Sequence, residues 1–351
     1  MSRQHAGVLA LIALCGGCAP TERQRPMAPR SDASASPGTS FEARARALEE
    51  KLSATAKASG GNVSVTVIHL PSGARASVNG DKRMPMMSVF KLPLALVALD
   101  DVDAGRRHLS DAIAISEAEI RPNVSPIAEA WAKGEKSPTL ERILLTVIQD
   151  SDNTSGDKLV TLLGGGAAIT ARLRAMGLTG IDVVEQEIEI AGRLQCPGVA
   201  SPPAGWSPSA IHSCADPGAP AKLAAARHEM ETSPNAATTD ALAAMLVKLA
   251  RGEILSPMSR AWITATLDGT HTGAGRLKAG LPPQTRFGHK TGTGDTIEGL
   301  NVATNDIGIV NLIGGGQLAI AVLTSGLPGD DAARDRVIAD IGREAYDAFS
   351  H

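Results

Sequence analysis

Met84-Pro85-Met86-Met87-Ser88-Val89-Phe90-Lys91-Leu92-Pro93 is where the chain passes from a strand hairpin into an apolar helix. The pattern predicts that helix from near Ser88 to about Asp101. Ser88 then sits at its N-terminal end, where backbone N–H groups point outward and the dipole favours negative charge. Lys91, three residues on, falls on the same face. A serine hydroxyl is a poor nucleophile without a base. An amine one turn away becomes that base when burial and a second cation bring its proton off near neutral pH.

Working outward, Val63, Val65 and Val67 alternate with Ser64, Thr66 and Ile68, Pro71-Ser72-Gly73 turns, and Ala74 to Val78 returns, which predicts two paired strands. Before them, Thr39-Ser40-Phe41-Glu42 offers caps for a helix running to about Ser59 and closed by Gly60-Gly61. Beyond the Ser88 helix, helical patterns dominate to about Arg260, clearest over Leu140–Gln149 and Ala167–Met176. Strand patterns resume at Arg286–Lys290, Leu300–Val310 and Leu318–Ser325, and a last helix runs over Asp331–Phe349. This order predicts an α+β fold: an antiparallel five-stranded sheet flanked by the terminal helices, with an all-helical subdomain beside it.

Ser-x-x-Lys is weak alone, since about one such spacing arises by chance in a chain this long, and Ser155-Gly156-Asp157-Lys158 is a second match. Two further tripeptides, Ser151-Asp152-Asn153 and Lys290-Thr291-Gly292, are each expected about 0.1 times by chance. It is the ordered set that carries chemistry. Ser151 is a second hydroxyl that relays a proton. Lys290 is a second cation, suited to a substrate carboxylate. Gly292 and Gly294 permit close backbone approach, and the N–H of Thr293 can pair with that of Ser88 as an oxyanion hole.

The 351 residues are 43% hydrophobic and 20% charged with net charge −3, a globular balance that argues against nucleic acid as a partner. Aromatics are only 2%, so the core is built from Leu, Ile, Val, Met and Ala. Arg3 precedes an apolar run, Ala6 to Cys15, too short to span a bilayer but suited to a signal-peptide core. Residues 1–18 therefore read as a signal peptide and 19–40 as a flexible, Pro- and Ser-rich linker. Residues 41–351 form the catalytic domain: an α/β part over 41–100 and 280–351, and a helical part over 101–279 carrying an insertion at 195–232.

Ser88 to Pro93 behind Met84–Met87, Asp150 to Thr154, His289 to Gly294, Glu298-Gly299-Leu300 and Asn305 to Val310 together resemble the class A serine β-lactamases, in the PER- and CfxA-like branch of the β-lactamase and penicillin-binding protein superfamily. The likeness covers residues 41 to 349 or so. It implies hydrolysis of the β-lactam amide through an acyl-enzyme on Ser88, giving antibiotic resistance. Lys91, or Glu187 through a water, removes the serine proton; both remain open. Ser151 protonates the leaving nitrogen, while Asn153, Lys290, Thr291, Gly292 and Thr293 hold the substrate. No metal or organic cofactor is needed, and the expected form is an exported monomer in the periplasm or cell envelope. Cys15-Gly16-Gly17-Cys18-Ala19 resembles a bacterial lipobox, with Cys18 acylated and tied to the membrane, although Cys15 stands where that pattern usually has Leu.

Deacylation requires a carboxylate on the loop after Gly177-Leu178. Glu185, Glu187 and Glu189 compete there, and spacing from Asn153 with a Glu-x-x-apolar pattern favours Glu187. The resemblance has departures: Ala191 replaces a loop asparagine, the loop arginine is absent with Glu185 near its place, and Val124 replaces an aromatic at the cleft edge. A stalled acyl-enzyme would instead mark a D,D-peptidase acting on peptidoglycan stem peptides, or a non-hydrolytic penicillin sensor.

Cys196 and Cys214 lie in a Pro-, Gly- and Ser-rich stretch. An oxidising envelope favours a disulfide between them, contributing about 3 kcal/mol by loop closure. Zinc shared with His212 and His228 matches no standard spacing. The insertion borders the Glu187 loop and is expected to shape the cleft. His289 flanks Lys290 and either tunes it or merely packs. Arg276 reads as a surface arginine or as an aid to carboxylate binding.

Overall fold

The computed structural model describes residues 37–121, 125–202 and 205–350. The signal peptide with Cys18, the linker up to residue 36, and Val124 lie outside the described residues. The sheet contains β1 (Asn62–His69), β2 (Arg75–Val78), β3 (Phe287–Thr293), β4 (Thr304–Asn311) and β5 (Gln317–Ser325), in the spatial order β2-β1-β5-β4-β3 and antiparallel throughout. The predicted five-stranded sheet is present.

The near-continuous apolar run of β5 follows from its place inside the sheet, since a strand covered on both faces cannot alternate with polar residues. Leu318, Ile320 and Val322 pack with Val63, Val65 and Val67 against the terminal helices Pro37–Ala58 and Asp331–Phe349. Ala319, Ala321 and Leu323 turn to the other face, against the helical part. Ser64 and Thr66 also lie on that face. Both are buried, and both hydrogen-bond Thr239 at the start of the helix Thr239–Arg251. The polar half of β1 is thus satisfied by a helix terminus rather than by water.

Two boundaries differ from expectation. The first helix begins at Pro37, so Thr39 and Ser40 lie inside its opening turn and do not cap it. The strand expected to end at Lys290 continues to Thr293. Glycines lower strand propensity, which is why Lys-Thr-Gly-Thr-Gly reads as loop. Here Gly292 is required, because a Cβ at that position would lie 2.4 Å from the Met86 carbonyl oxygen and 3.2 Å from the Ser88 nitrogen. Edge strand β3 is thereby pressed against the turn that carries Ser88. Asn305 on β4 fixes the same turn: its side-chain nitrogen donates to the carbonyls of Pro85 (2.9 Å) and Met86 (3.1 Å).

Among the described residues, no helix is long and apolar enough to cross a membrane.

Candidate active site

Ser88 lies in a single 3-10 turn, Met87–Phe90, that leads directly into the helix Lys91–Asp103. The helix itself therefore starts three residues later than predicted. Met87 has φ +45° and Ser151 φ +58°, a left-handed conformation that non-glycine residues rarely take. Strain of this kind persists where surrounding structure over-determines it, and here it brackets two candidate catalytic hydroxyls.

Lys91 is fully buried. Its Nζ donates to Ser88 Oγ (3.0 Å), to the Ser151 carbonyl (2.8 Å) and to Asn153 Oδ1 (2.6 Å), and lies 3.0 Å from Glu187 Oε1. Ser88 Oγ donates to that same carboxylate oxygen at 3.0 Å. The hydroxyl therefore touches an amine and a carboxylate at once.

Lys290, also fully buried, donates to Ser151 Oγ (2.9 Å) and to the Thr291 carbonyl (2.7 Å). Burial, reinforced by the positive charge of Lys91, holds the Lys290 ammonium well below its ordinary pKa of 10.5. Asn153 begins the helix Asn153–Leu162, and the Asp152 carboxylate caps it by accepting the Ser155 N–H at 2.8 Å. With Asn153 Oδ1 held by Lys91, its amide N–H groups remain for a ligand.

The three competing glutamates separate cleanly. Glu189 accepts the Gln186 N–H at 2.8 Å and caps the helix Glu187–Gln195. Glu185 pairs with Arg193. Glu187 alone of the three turns into the cleft, which is lined by Ser88, Asn153, Glu187 and Thr293. Ala191 lines the same cleft. Thr291 is buried and hydrogen-bonds Thr272 at 2.6 Å.

Sequence reasoning missed Asp157. It is almost fully buried, donates nothing, and collects the N–H groups of Glu187 (2.6 Å) and Ile188 (3.2 Å) together with Arg121 Nε (2.6 Å). Burial pushes its carboxyl up to about 6 against the pull of Arg121, and the charge of Glu187 adds to the rise. It stands four residues past Asn153, inside the second Ser-x-x-Lys, and no local pattern marks it as the partner of the Glu187 loop.

Arg276 is not a surface arginine. It is buried, pairs with Asp335 (2.8 Å), and donates to the carbonyls of Gly292 (3.2 Å) and Asn305 (2.9 Å) and to Thr293 Oγ1 (2.7 Å). His289 faces Asp306 at 2.9 Å, fully enclosed, with Nε2 unpartnered. Cys196 and Cys214 are disulfide-bonded, with Cα atoms 5.9 Å apart. Trp206 from the insertion lies so close to Gly192 that any Cβ there would overlap its ring at 2.4 Å. The insertion is therefore packed onto the helix that carries Glu187.

A model described as the beta-lactamase enzyme family matches residues 47–349. Beta-lactamase VEB-1 of Pseudomonas aeruginosa is 27% identical over 303 residues, covering 86% of this chain and 90% of that protein. Extended-spectrum beta-lactamase PER-1, also of Pseudomonas aeruginosa, is 29% identical over 270 residues, covering 77% and 76%. The crystal structure of a beta-lactamase from Chitinophaga pinensis superposes with TM-score 0.71 at 30% identity, covering 86% of this chain and 99% of that one. An ancestral class A beta-lactamase superposes at 0.68 with 32% identity, covering 86% and 100%.

Proposed function

Because this chain belongs to the beta-lactamase enzyme family, of class A type, we propose that it opens the β-lactam amide through a covalent ester on Ser88. The observation that carries the proposal is the double contact of one hydroxyl: Ser88 Oγ lies 3.0 Å from Lys91 Nζ and 3.0 Å from Glu187 Oε1.

Ser88 Oγ forms a bond to the lactam carbonyl carbon and its proton passes to Glu187, to which it already donates. The N–H groups of Ser88 and Thr293 carry the negative charge on the carbonyl oxygen. The carbon–nitrogen bond then breaks. The nitrogen takes the Ser151 hydroxyl proton, and Lys290, which holds its own proton loosely, replaces it across 2.9 Å. Arg276 occupies a lone pair of Thr293 Oγ1, so that hydroxyl's proton is directed to the substrate carboxylate alongside Lys290. Between the halves Glu187 gives up the serine proton to solvent in the cleft and Lys290 takes one back, so both return to their starting states. Glu187 then takes a proton from water, the resulting hydroxide attacks the ester carbon, and that proton returns to the departing Ser88 Oγ through Lys91. The sum is one amide and one water converted to a carboxylic acid and an amine.

A peptidase or sensor that stops at the ester needs no carboxylate at the serine oxygen, so the contact with Glu187 supports the hydrolase. The reading includes a monomeric enzyme in the cell envelope, where the disulfide is stable, tethered through Cys18. Nitrocefin turnover tests it. Wild type should turn over fast, and Glu187→Ala should accumulate an ester visible by intact mass. A wild type that itself stays acylated would overturn the hydrolase.

A further inference from the structure

Ser151 stands in the short turn between the helices Leu140–Gln149 and Asn153–Leu162, with φ +58°. A residue with a side chain keeps such a backbone only where its surroundings hold it. Contacts that hold this turn come from Thr270-His271-Thr272, a segment between the helix Pro257–Asp268 and β3. The His271 N–H donates to the Gln149 carbonyl at 2.9 Å. The His271 ring nitrogen Nδ1 lies 2.8 Å from Asp150 Oδ1. Gln149 returns a bond, its side-chain amide donating to the Thr266 carbonyl at 3.3 Å. The fit is close: a Cβ on Gly269 would lie 2.3 Å from that amide nitrogen.

The two neighbours of His271 bond in the other direction. Thr270 Oγ1 donates to the His289 carbonyl at 2.6 Å, and Thr272 Oγ1 lies 2.6 Å from Thr291 Oγ1. Three consecutive residues thus hold β3 on either side of Lys290 and, between those contacts, the turn that carries Ser151. The gap they span is the one that Lys290 Nζ crosses to reach Ser151 Oγ, 2.9 Å. Ser151 belongs to the helical part and Lys290 to the sheet, so no local backbone geometry sets that distance. A proton passes only within hydrogen-bond reach, and small misplacements of reacting groups cost rate steeply.

We propose that His271 and Asp150 are positioning residues for the proton relay from Lys290 through Ser151: their side-chain pair closes the Thr270–Thr272 strap onto the turn and fixes Ser151 Oγ at the Lys290 ammonium. The proposal rests on the hydrolase reading above, in which Ser151 gives its proton to the leaving nitrogen. The effect of the pair therefore falls on ester formation, when that nitrogen departs, and spares the ester breakdown that Glu187 carries out. His271 is exposed and Asp150 partly so, which limits the worth of the pair to about fivefold in rate.

Rapid mixing of excess enzyme with benzylpenicillin, quenched into acid for intact mass, follows the rise and the fall of the ester separately. His271→Ala keeps the backbone bond to Gln149 and removes only the ring. His271→Ala and Asp150→Ala should each slow the rise about fivefold and leave the fall and the Tm near wild type. The double variant should be no slower than either single one, since both remove the same contact. His271→Asn, whose side-chain amide donates from nearly the place of Nδ1, should restore the rise. An unchanged rise in His271→Ala, a fall slowed as much as the rise, losses that multiply in the double variant, or an Asn variant as slow as the Ala one would each overturn the proposal. If Asp150→Ala does not fold, the comparison of His271→Ala with His271→Asn decides alone. A wild type whose ester forms and then persists defeats the hydrolase reading, while the rise still tests the strap. A wild type that never forms the ester defeats both.

Discussion

The Asp157 carboxylate accepts the backbone N–H of Glu187 at 2.6 Å, across 30 residues of sequence. A candidate catalytic carboxylate is thus held from behind by a second one, which is itself held by Arg121. Burial raises the Asp157 carboxyl to about 6 against the pull of Arg121, and the nearby charge of Glu187 adds to the rise.

This arrangement predicts a trade between stability and activity at Asp157. The group's ordinary value is 3.8 and its folded value about 6, so between those pH values the folded protein binds more protons than the unfolded chain. Stability therefore falls as pH rises through that window. The ion pair with Arg121 does not offset the desolvation of the charge. Asp157→Asn removes the charge and keeps an acceptor for the Glu187 N–H. Its Tm should match or exceed that of wild type at pH 7.5, with the gap closing toward pH 4. Turnover should fall, because the Arg121 contact that orients the loop is weakened. A Tm well below wild type at pH 7.5 would refute this account.

Glu187→Gln should separate the two halves of the reaction. The amide keeps the packing of the carboxylate but cannot take a proton. Loss of a general base costs about 10³-fold, and the loss should fall on kcat. Intact mass should show the ester persisting after substrate is gone. Lys91 Nζ, 3.0 Å from Ser88 Oγ, remains to take the serine proton, so ester formation should slow far less than ester breakdown, and equal losses would mean that Lys91 does not stand in for Glu187 in acylation.

Gly292→Ala tests the fit of β3 against the nucleophile turn. The added methyl would lie 2.4 Å from a backbone oxygen, so the strand, the turn or both must move. Removing one well-placed oxyanion donor costs about 10² in rate, and a loss of that order in kcat/KM is expected with the far-ultraviolet circular dichroism unchanged. Retention of full activity would show that the edge strand does not set the oxyanion geometry.

Much of this was legible in residue order. Val63, Val65 and Val67 marked an inward face, the apolar run Leu318–Leu323 marked a strand covered twice, and the spacing beyond Asn153 chose Glu187 over Glu185 and Glu189. What stayed illegible depends on groups meeting across the fold. Nothing local marks Asp157 as the anchor of a loop 30 residues away. Arg276 looks like any charged residue near a turn until four acceptors surround it. The strand over Thr291–Thr293 was hidden because the glycine that weakens strand propensity is the one that lets the strand approach Ser88.

The terminal helices carry a prediction of a different kind. The His69 ring lies between Phe41 and Phe349, with centroid separations of 4.6 and 5.1 Å, and stacks on both. Those two rings belong to the first and last helices, so His69 on β1 ties both chain ends to the sheet. Burial, and then the charge of Arg44, hold its pKa below the ordinary 6.5. The unfolded chain therefore takes up a proton at a higher pH than the folded protein does. By linkage this contribution is fully present above about pH 6.5 and is lost as pH falls through the folded value. His69→Phe keeps a flat ring between the two phenylalanines and removes the titration. Between pH 7.5 and 5 the Tm of wild type should fall further than that of His69→Phe, while turnover at pH 7.5 stays equal because the site lies on the opposite face of the sheet. All other titrating groups are shared by the two proteins, so parallel Tm curves would mean that protonation of His69 does not loosen the helices.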